Sequence, residues 1–433
     1  MKKQIEDYWS EKSVRTNLID ILLDICWLES EQRTDGQSSM LKMFKHGLEL
    51  YYVDLIKDVV YPEGSSKLYT SIEGVDDIRL PELYQVEENK FLGAISLSAS
   101  AYKSLFPDGR KNPDNIARFR PCAAILSGVA MSLYLHDISE GDVTIIFINH
   151  NTQSYRALDF ASGPWISKAK DWAGERLDLR DSKSGFNACS FCNLRSKCPK
   201  TSLVTLKDLE QQMEDWIDDI MVSRNKDIEK AVSKHLKDMC KKPSKSHNDG
   251  WLHPSAMVMS ECHRRFYYGL KGESKIEKIA PSLRNIFNAG HIVHDILQEP
   301  FKDDESVVVE EMAESVEYRM HGHSDLVSPT HIGEIKSAGE WSFNKFAIEP
   351  KPAHIAQASI YGSFLDREKI NILYFNKNSG DIAELEVDVD HGEVEKLTDF
   401  AEAVLAFCNI DKLPPKIDDE KECKNCPYEH ICK

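Results

Sequence analysis

The spacing Cys-x-x-Cys-x-x-x-x-x-Cys occurs twice in this chain, at Cys189, Cys192 and Cys198 and again at Cys423, Cys426 and Cys432. Each triplet has one cysteine far upstream, Cys26 for the first and Cys262 for the second. Four thiolates per set match a [4Fe–4S] cluster, and they equally match a four-cysteine zinc site. Spacing alone does not choose between them. Either centre would join residue 262 to residues 423–432 and close a loop of about 160 residues, so the second half must fold back on its own start. Cys122, Cys240 and Cys408 lie outside the pattern and read as small buried hydrophobes.

The cysteines are not the only repeated feature. Phe287-x-x-Gly290-x-x-x-His294 has a counterpart in Phe44-x-x-Gly47-x-x-x-Tyr51. Ile332-Gly333-Glu334-Ile335-Lys336 matches Leu92-Gly93-Ala94-Ile95-Ser96. Phe375-Asn376-Lys377-Asn378-Ser379 matches Ile148-Asn149-His150-Asn151-Thr152. The shared order points to a duplication. By this alignment His294, Asp325, Glu334 and Lys336 become Tyr51, Gln85, Ala94 and Ser96, so the first copy keeps no charge to hold a metal.

The chemistry therefore belongs to the second half. Strands are expected over 307–311, 319–327 and 331–336. Side chains two apart on a strand share a face, so Glu334 and Lys336 present a carboxylate and an ammonium side by side. A neighbouring strand can bring Asp325 to the same place. With His294 from a helix, the set is two hard oxygen donors and one borderline nitrogen, which suits Mg²⁺ or Mn²⁺. Such an ion polarises a phosphate oxygen and acidifies a bound water. Gln357 and Tyr361, four apart on an expected helix, share one face and are placed to contact a phosphate or support Lys336. Each of these motifs is common by itself; their order carries the reading.

Composition limits the alternatives. The 433 residues suffice for two or three domains, and 41% hydrophobic with 29% charged residues is the balance of a soluble globular chain. No apolar stretch is long enough to span a membrane. The segment 18–28 carries Asp20 and Asp24 and does not read as a signal peptide, so a cytoplasmic location is expected. The net charge of −17 excludes a whole-surface attraction to nucleic acid, and the acidity is concentrated after Trp251, with 20 Lys+Arg against 33 Asp+Glu. A basic groove of a few residues remains compatible with it. Arg264 and Arg265 are candidates for phosphate contact, with pairing to Glu261 as the alternative.

Residues 251–433 resemble the RecB-like branch of the PD-(D/E)XK nuclease superfamily, and within it the iron–sulfur members. These include CRISPR-adaptation nucleases, the AddB nuclease domain and mitochondrial exonuclease V. The likeness rests on Cys262-His-Arg-Arg-Phe-Tyr-Tyr268, His294, Asp325 in Gly-His-Ser-Asp, Glu334 with Lys336, Gln357 with Tyr361, and Cys423, Cys426 and Cys432. It implies catalytic roles for His294, Asp325, Glu334, Lys336, Gln357 and Tyr361, with His294, Asp325 and Glu334 as ligands of Mn²⁺ or Mg²⁺. It also implies a [4Fe–4S] cluster on Cys262, Cys423, Cys426 and Cys432, and a second on Cys26, Cys189, Cys192 and Cys198.

The expected architecture is α/β, with two restriction-endonuclease-like lobes. Each is a mixed central sheet flanked by helices and stapled by a four-cysteine cluster. The expected domains are 1–204, an inactive nuclease-like copy; 205–250, a connecting helix (205–239) and linker; and 251–433, the active nuclease. The implied activity is metal-dependent hydrolysis of DNA phosphodiesters, as an exonuclease on single-stranded or end-containing DNA, in recombination, repair or defence against phage. A helicase or recombination partner would fit that role. The competing readings are a non-catalytic DNA-binding or assembly protein with a nuclease fold, and a CRISPR spacer-processing nuclease.

Overall fold

The computed structural model describes residues 1–11, 16–17, 35–60, 66–67, 78–79, 83–99, 102–103, 106, 138, 141–160, 222–241, 249–276 and 280–432. The elements of the first half are α1 (Lys2–Glu11), β1 (Thr16–Asn17), α2 (Asp35–Val60), β2 (Ser66–Lys67), β3 (Ile78–Arg79), β4 (Leu83–Glu87), β5 (Lys90–Leu97), β6 (Asp142–Asn149), β7 (Tyr155–Phe160), β8 (Val222–Arg224) and α3 (Lys226–Lys241). After them come α4 (Pro254–Met257), α5 (His263–Leu270), α6 (Pro281–Gln298), β9 (Val308–Ser315), β10 (Met320–Val327) and β11 (His331–Ala338). The chain ends with α7 (Glu340–Phe346), α8 (Pro352–Phe364), β12 (Lys369–Asn376), β13 (Ile382–Asp388), α9 (His391–Asn409) and α10 (Glu420–Asn425).

The protein is mixed α/β, with two main sheets and helices against them. One sheet has the order β13-β12-β11-β10-β9; the other has β2-β4-β5-β6-β7-β8. Packing groups Met1–Lys12, Arg33–Phe44 and Lys234–Lys433 into one unit, and Ser13–Gln32 with Lys45–Ser233 into the other. This differs from the expected division in chain order, because the first helix docks on the C-terminal sheet. The Lys2 backbone N–H donates to Glu384 of β13 at 3.0 Å, and Ile5 and Trp9 are buried. Phe44 meets Phe375 edge-on at 5.8 Å.

Residues 205–221 of the expected helix over 205–239 lie outside the described residues, and the rest is helical only in part. Val222–Arg224 is a strand paired with β7, and α3 begins only at Lys226. Asn225 explains the boundary: its side-chain oxygen accepts the Ile228 N–H at 2.9 Å, capping the new helix.

Within each sheet, one parallel pair lies between antiparallel neighbours. β5 pairs with β6 from Lys90↔Asp142 to Leu97↔Asn149. β11 pairs with β12 from His331↔Lys369 to Ala338↔Asn376. Strands covered on both faces are apolar almost throughout, as in the buried runs of β5, β6 and β12. The following turns are built alike. Asn376 accepts the Asn378 N–H on its side chain at 2.9 Å, and Asn149 accepts that of Asn151 at 3.0 Å. The Lys377 N–H reaches the Ala338 carbonyl at 3.0 Å and the His150 N–H reaches Leu97 at 3.1 Å.

This common register corrects the residue-by-residue alignment of the halves. Glu334 and Lys336 face Ile372 and Tyr374; the same places on β5, facing Ile145 and Phe147, are Gly93 and Ile95, not Ala94 and Ser96. Gln85 pairs with Phe91, so Leu83 stands where Asp325 stands. Residue spacing does not carry over between the two hairpins, because β4–β5 carries a bulge between Gln85 and Glu87 and a shorter turn than β10–β11. The corrected positions are likewise uncharged.

Candidate active site

β10 and β11 pair only through Leu326↔Gly333 and Val327↔Ile332 in the described ladder. Beyond those pairs, a side chain does the work of a backbone carbonyl. The Asp325 Oδ2 accepts the Ile335 N–H at 2.6 Å. Its other oxygen, Oδ1, lies 3.1 Å from the His294 Nδ1 on α6. One turn later on α6, the Gln298 amide donates to the Asp325 carbonyl at 3.2 Å and to Glu310 at 2.6 Å. Asp325 is thus fixed at both carboxylate oxygens and at its backbone.

Glu334 is almost wholly buried, at 1% exposure. Its Oε1 receives the Lys336 ammonium from the same face of β11 and the Gln357 amide from α8 at 2.9 Å. Gln357 also reaches the Tyr361 hydroxyl at 3.4 Å. The second oxygen, Oε2, is buried with no hydrogen-bond partner. A buried carboxylate oxygen left without a donor is costly, and a proton or a cation would satisfy it.

The electrostatics follow from burial. Burial pushes Glu334 up to about 7; Lys336 pulls it back, and the nearby Asp325 charge adds to the rise. Burial opposes a charged His294, but Asp325 outweighs it and holds the imidazole above its usual range. Burial also works against the Lys336 ammonium, and Glu334 with Asp325 more than offset it. Burial raises the Tyr361 phenol well above its usual range, so it stays protonated and can donate.

All six expected residues therefore gather where β10 and β11 part, in two groups: His294 with Asp325, and Glu334 with Lys336, Gln357 and Tyr361. Three further residues escaped the sequence reading. Glu310 has a carboxylate oxygen within 4.8 Å of the donor atoms of His294 and Asp325, and its φ of +54° is a left-handed value inside β9. Nothing in the sequence separates it from Glu311 or Glu314 beside it. Gln298 is the second. His354 is the third; its Nδ1 lies 3.0 Å from the Tyr374 hydroxyl. Burial and the charges of Lys336 and Lys351 push it down to about 3, so it is neutral. The i, i+3 and i+4 relations His354–Gln357 and His294–Gln298 were legible signals for two of the three.

Cys262, Cys423, Cys426 and Cys432 line one cavity of about 100 Å³ together with Arg265, Tyr268 and Glu422. Cys262 occupies the N-cap of α5, where the helix dipole favours a thiolate. Burial pushes the Cys262 and Cys426 thiols up, so bound cations would be needed to hold them ionised. The Arg264 guanidinium donates to the Pro414 carbonyl at 2.8 Å and lies 3.8 Å from the Cys432 sulfur. These contacts tie it to the cysteine corner of the fold. Cys26, Cys189, Cys192 and Cys198 lie outside the described residues.

No family model matches the chain. No curated protein matches it either. Among solved structures, an alkaline exonuclease (LHK-Exo) from Laribacter hongkongensis is 16% identical, with a TM-score of 0.31 over 37% of this chain and 89% of that one. SSO0001 is 19% identical, with a TM-score of 0.31 over 46% of this chain and 96% of its own. LHK-Exo in complex with dAMP is 14% identical, at 0.31 over 38% and 90%. Among the described residues, no helix is long and apolar enough to cross a membrane.

Proposed function

We propose that the C-terminal unit is a divalent-metal-dependent DNA nuclease of the iron–sulfur, RecB-like kind. The observation that carries this is the unpartnered, buried Oε2 of Glu334, set beside an Asp325–His294 pair and a lysine. His294, Asp325 and Glu334 would hold Mn²⁺ or Mg²⁺, which when bound polarises a phosphate oxygen and acidifies a water. Lys336 offers an ammonium to the anionic phosphate, and its pairing with Glu334 fixes where that charge sits. Gln357 orients Glu334 and is itself positioned by Tyr361. Hydrolysis forms a bond from water oxygen to phosphorus and breaks one ester bond; the departing oxygen takes up a proton.

Single-stranded DNA, or DNA with free ends, is the proposed substrate, cut from an end. Cys262, Cys423, Cys426 and Cys432 are proposed to bind a [4Fe–4S] cluster with a structural role, in a reducing cytoplasm. The first copy is proposed to be catalytically silent. In support, Leu83, Gly93 and Ile95 occupy the places of the acids and the lysine, and neither three-ligand group found among the described residues lies there.

The test is end-labelled single-stranded DNA incubated with Mn²⁺ and full-length protein, comparing wild type with Glu334→Ala. Wild type should shorten the DNA from an end and the variant should not. Equal cutting by both, or none by either on any DNA form, would overturn the proposal. Iron analysis after anaerobic purification decides the cluster, with zinc in a colourless protein as the contrary result.

A further inference from the structure

A second constellation of metal-binding side chains stands apart from the site above. Asp249 lies where the chain enters the C-terminal sheet, His253 caps α4, and His321 lies at the start of β10. The Asp249 Oδ2 is 2.9 Å from the His321 Nε2 and 3.4 Å from the His253 Nε2. One donor atom from each of the three lies within 4.8 Å of the others. Four strand residues separate His321 from Asp325, roughly 13 Å at about 3.3 Å per residue, so the triad is not part of the catalytic group.

The three side chains are held in place. Asp249 is oriented through Oδ1, which accepts the Trp251 N–H at 3.0 Å, and this leaves Oδ2 to the two imidazoles. Gly250 makes the turn at φ +77°, and the Arg319 guanidinium fastens its carbonyl at 2.6 Å. Leu252 then exchanges backbone hydrogen bonds with the β10 chain, donating to Arg319 at 2.7 Å and accepting from His321 at 3.0 Å. The His321 ring packs between His253 at 4.7 Å and Trp251 at 5.4 Å. Between 19% and 33% of each side chain reaches solvent, which leaves an ion a way in.

We infer that Asp249, His253 and His321 form a second metal site, for Zn²⁺ or a similar borderline divalent transition ion, which clips the start of the C-terminal domain to β10. Donors about 2.1 Å from such an ion stand roughly 3.0–3.4 Å apart in octahedral or tetrahedral geometry, and the two Asp249–histidine separations, 2.9 and 3.4 Å, lie close to that range. Two imidazoles and one carboxylate select zinc and its neighbours over Mg²⁺ or Ca²⁺, whose sites are built from oxygen. Three protein ligands leave a position for water. The site acts as a staple across the entry loop, and it does not depend on the nuclease reading.

The test uses the full-length protein, dialysed against Zn²⁺ and then metal-free buffer. Bound zinc is counted in wild type, His253→Gln, His321→Gln and the exposed control His391→Gln, with circular dichroism to check folding. Each of the first two variants should lose one equivalent relative to wild type, whereas His391→Gln should keep it. Anomalous diffraction from Zn²⁺-soaked wild-type crystals gives a second, variant-free measure: a peak between the three side chains is expected. Wild-type zinc content in His321→Gln, or no anomalous peak at the triad, would overturn the inference and leave Asp249 a hydrogen-bonded bridge between two histidines.

Discussion

A Cβ at position 322 would stand 2.6 Å from the Tyr361 hydroxyl oxygen and 2.7 Å from its ring. Gly322 is therefore a docking surface for Tyr361, and the Gly-x-x-Asp spacing links that surface to Asp325 on one strand. Gly322→Ala should push Tyr361 off β10 and disturb Gln357 and Glu334 behind it. Overpacking of this kind costs about 1–3 kcal/mol. Thermal unfolding should show the loss. Tyr361→Phe should not relieve it because the ring carbon also clashes, whereas adding Tyr361→Ala should. Equal stability of Gly322→Ala and wild type would rule out the contact.

Glu334 makes the metal-free protein sensitive to pH. Its folded-state value of about 7 lies above that of an unfolded carboxyl, so the folded state holds more protons between about pH 4.5 and 7. Stability must then fall as pH rises through that window. Glu334→Gln should flatten this slope in denaturant melts at several pH values. A cation bound there displaces the proton, so Mn²⁺ affinity should rise over the same window in wild type. A metal affinity independent of pH between 5 and 8 would contradict this account.

Glu310 lies beside the His294–Asp325 pair, held by Gln298. Glu310→Gln should leave the fold intact and weaken Mn²⁺ binding by roughly 10–100-fold, the range for groups supporting a metal site. Glu310→Gly separates charge from backbone: it removes the left-handed strain at φ +54° while losing the carboxylate. It should melt no lower than Glu310→Gln yet bind Mn²⁺ equally poorly. Calorimetric titration with Mn²⁺ reads both, and unchanged affinity in both would exclude Glu310 from the site.

A cluster held by the four C-terminal cysteines would close a loop of about 160 residues. By chain entropy a closure of this length is worth about 4–5 kcal/mol, which is roughly 10 °C or more in Tm for a domain of this size. Cys432→Ser should lose the bound metal and drop Tm by that order. Cys408→Ser, outside the cavity, should keep the metal. Equal metal content in the two variants would detach Cys432 from the cluster.

The sequence by itself determined much of the alternation of strands and helices in the C-terminal half and singled out His294, Asp325, Glu334 and Lys336 as candidates that the fold brings together. Glu334 and Lys336 share a face because strand side chains alternate, and Tyr361 follows Gln357 by about one helical turn for an equally local reason. It also pointed to a duplication, through the order of its motifs. What it could not supply was anything set by contacts between distant residues. A bulge and a short turn shifted the β4–β5 register by amounts no residue count reveals, which misplaced Gln85, while matching Gly93 to Gly333 by letter set Ala94 and Ser96 one residue out of the pairing that β5 makes with β6. Glu310 is one of several like acids until β9 is laid beside β10. Asp249, His253 and His321 become one cluster only when the entering chain pairs with β10. That the two strands part just where Asp325 can replace a backbone acceptor for Ile335 is likewise a property of the folded sheet. Local stereochemistry is written into neighbouring residues, whereas register and convergence arise from packing across the whole domain.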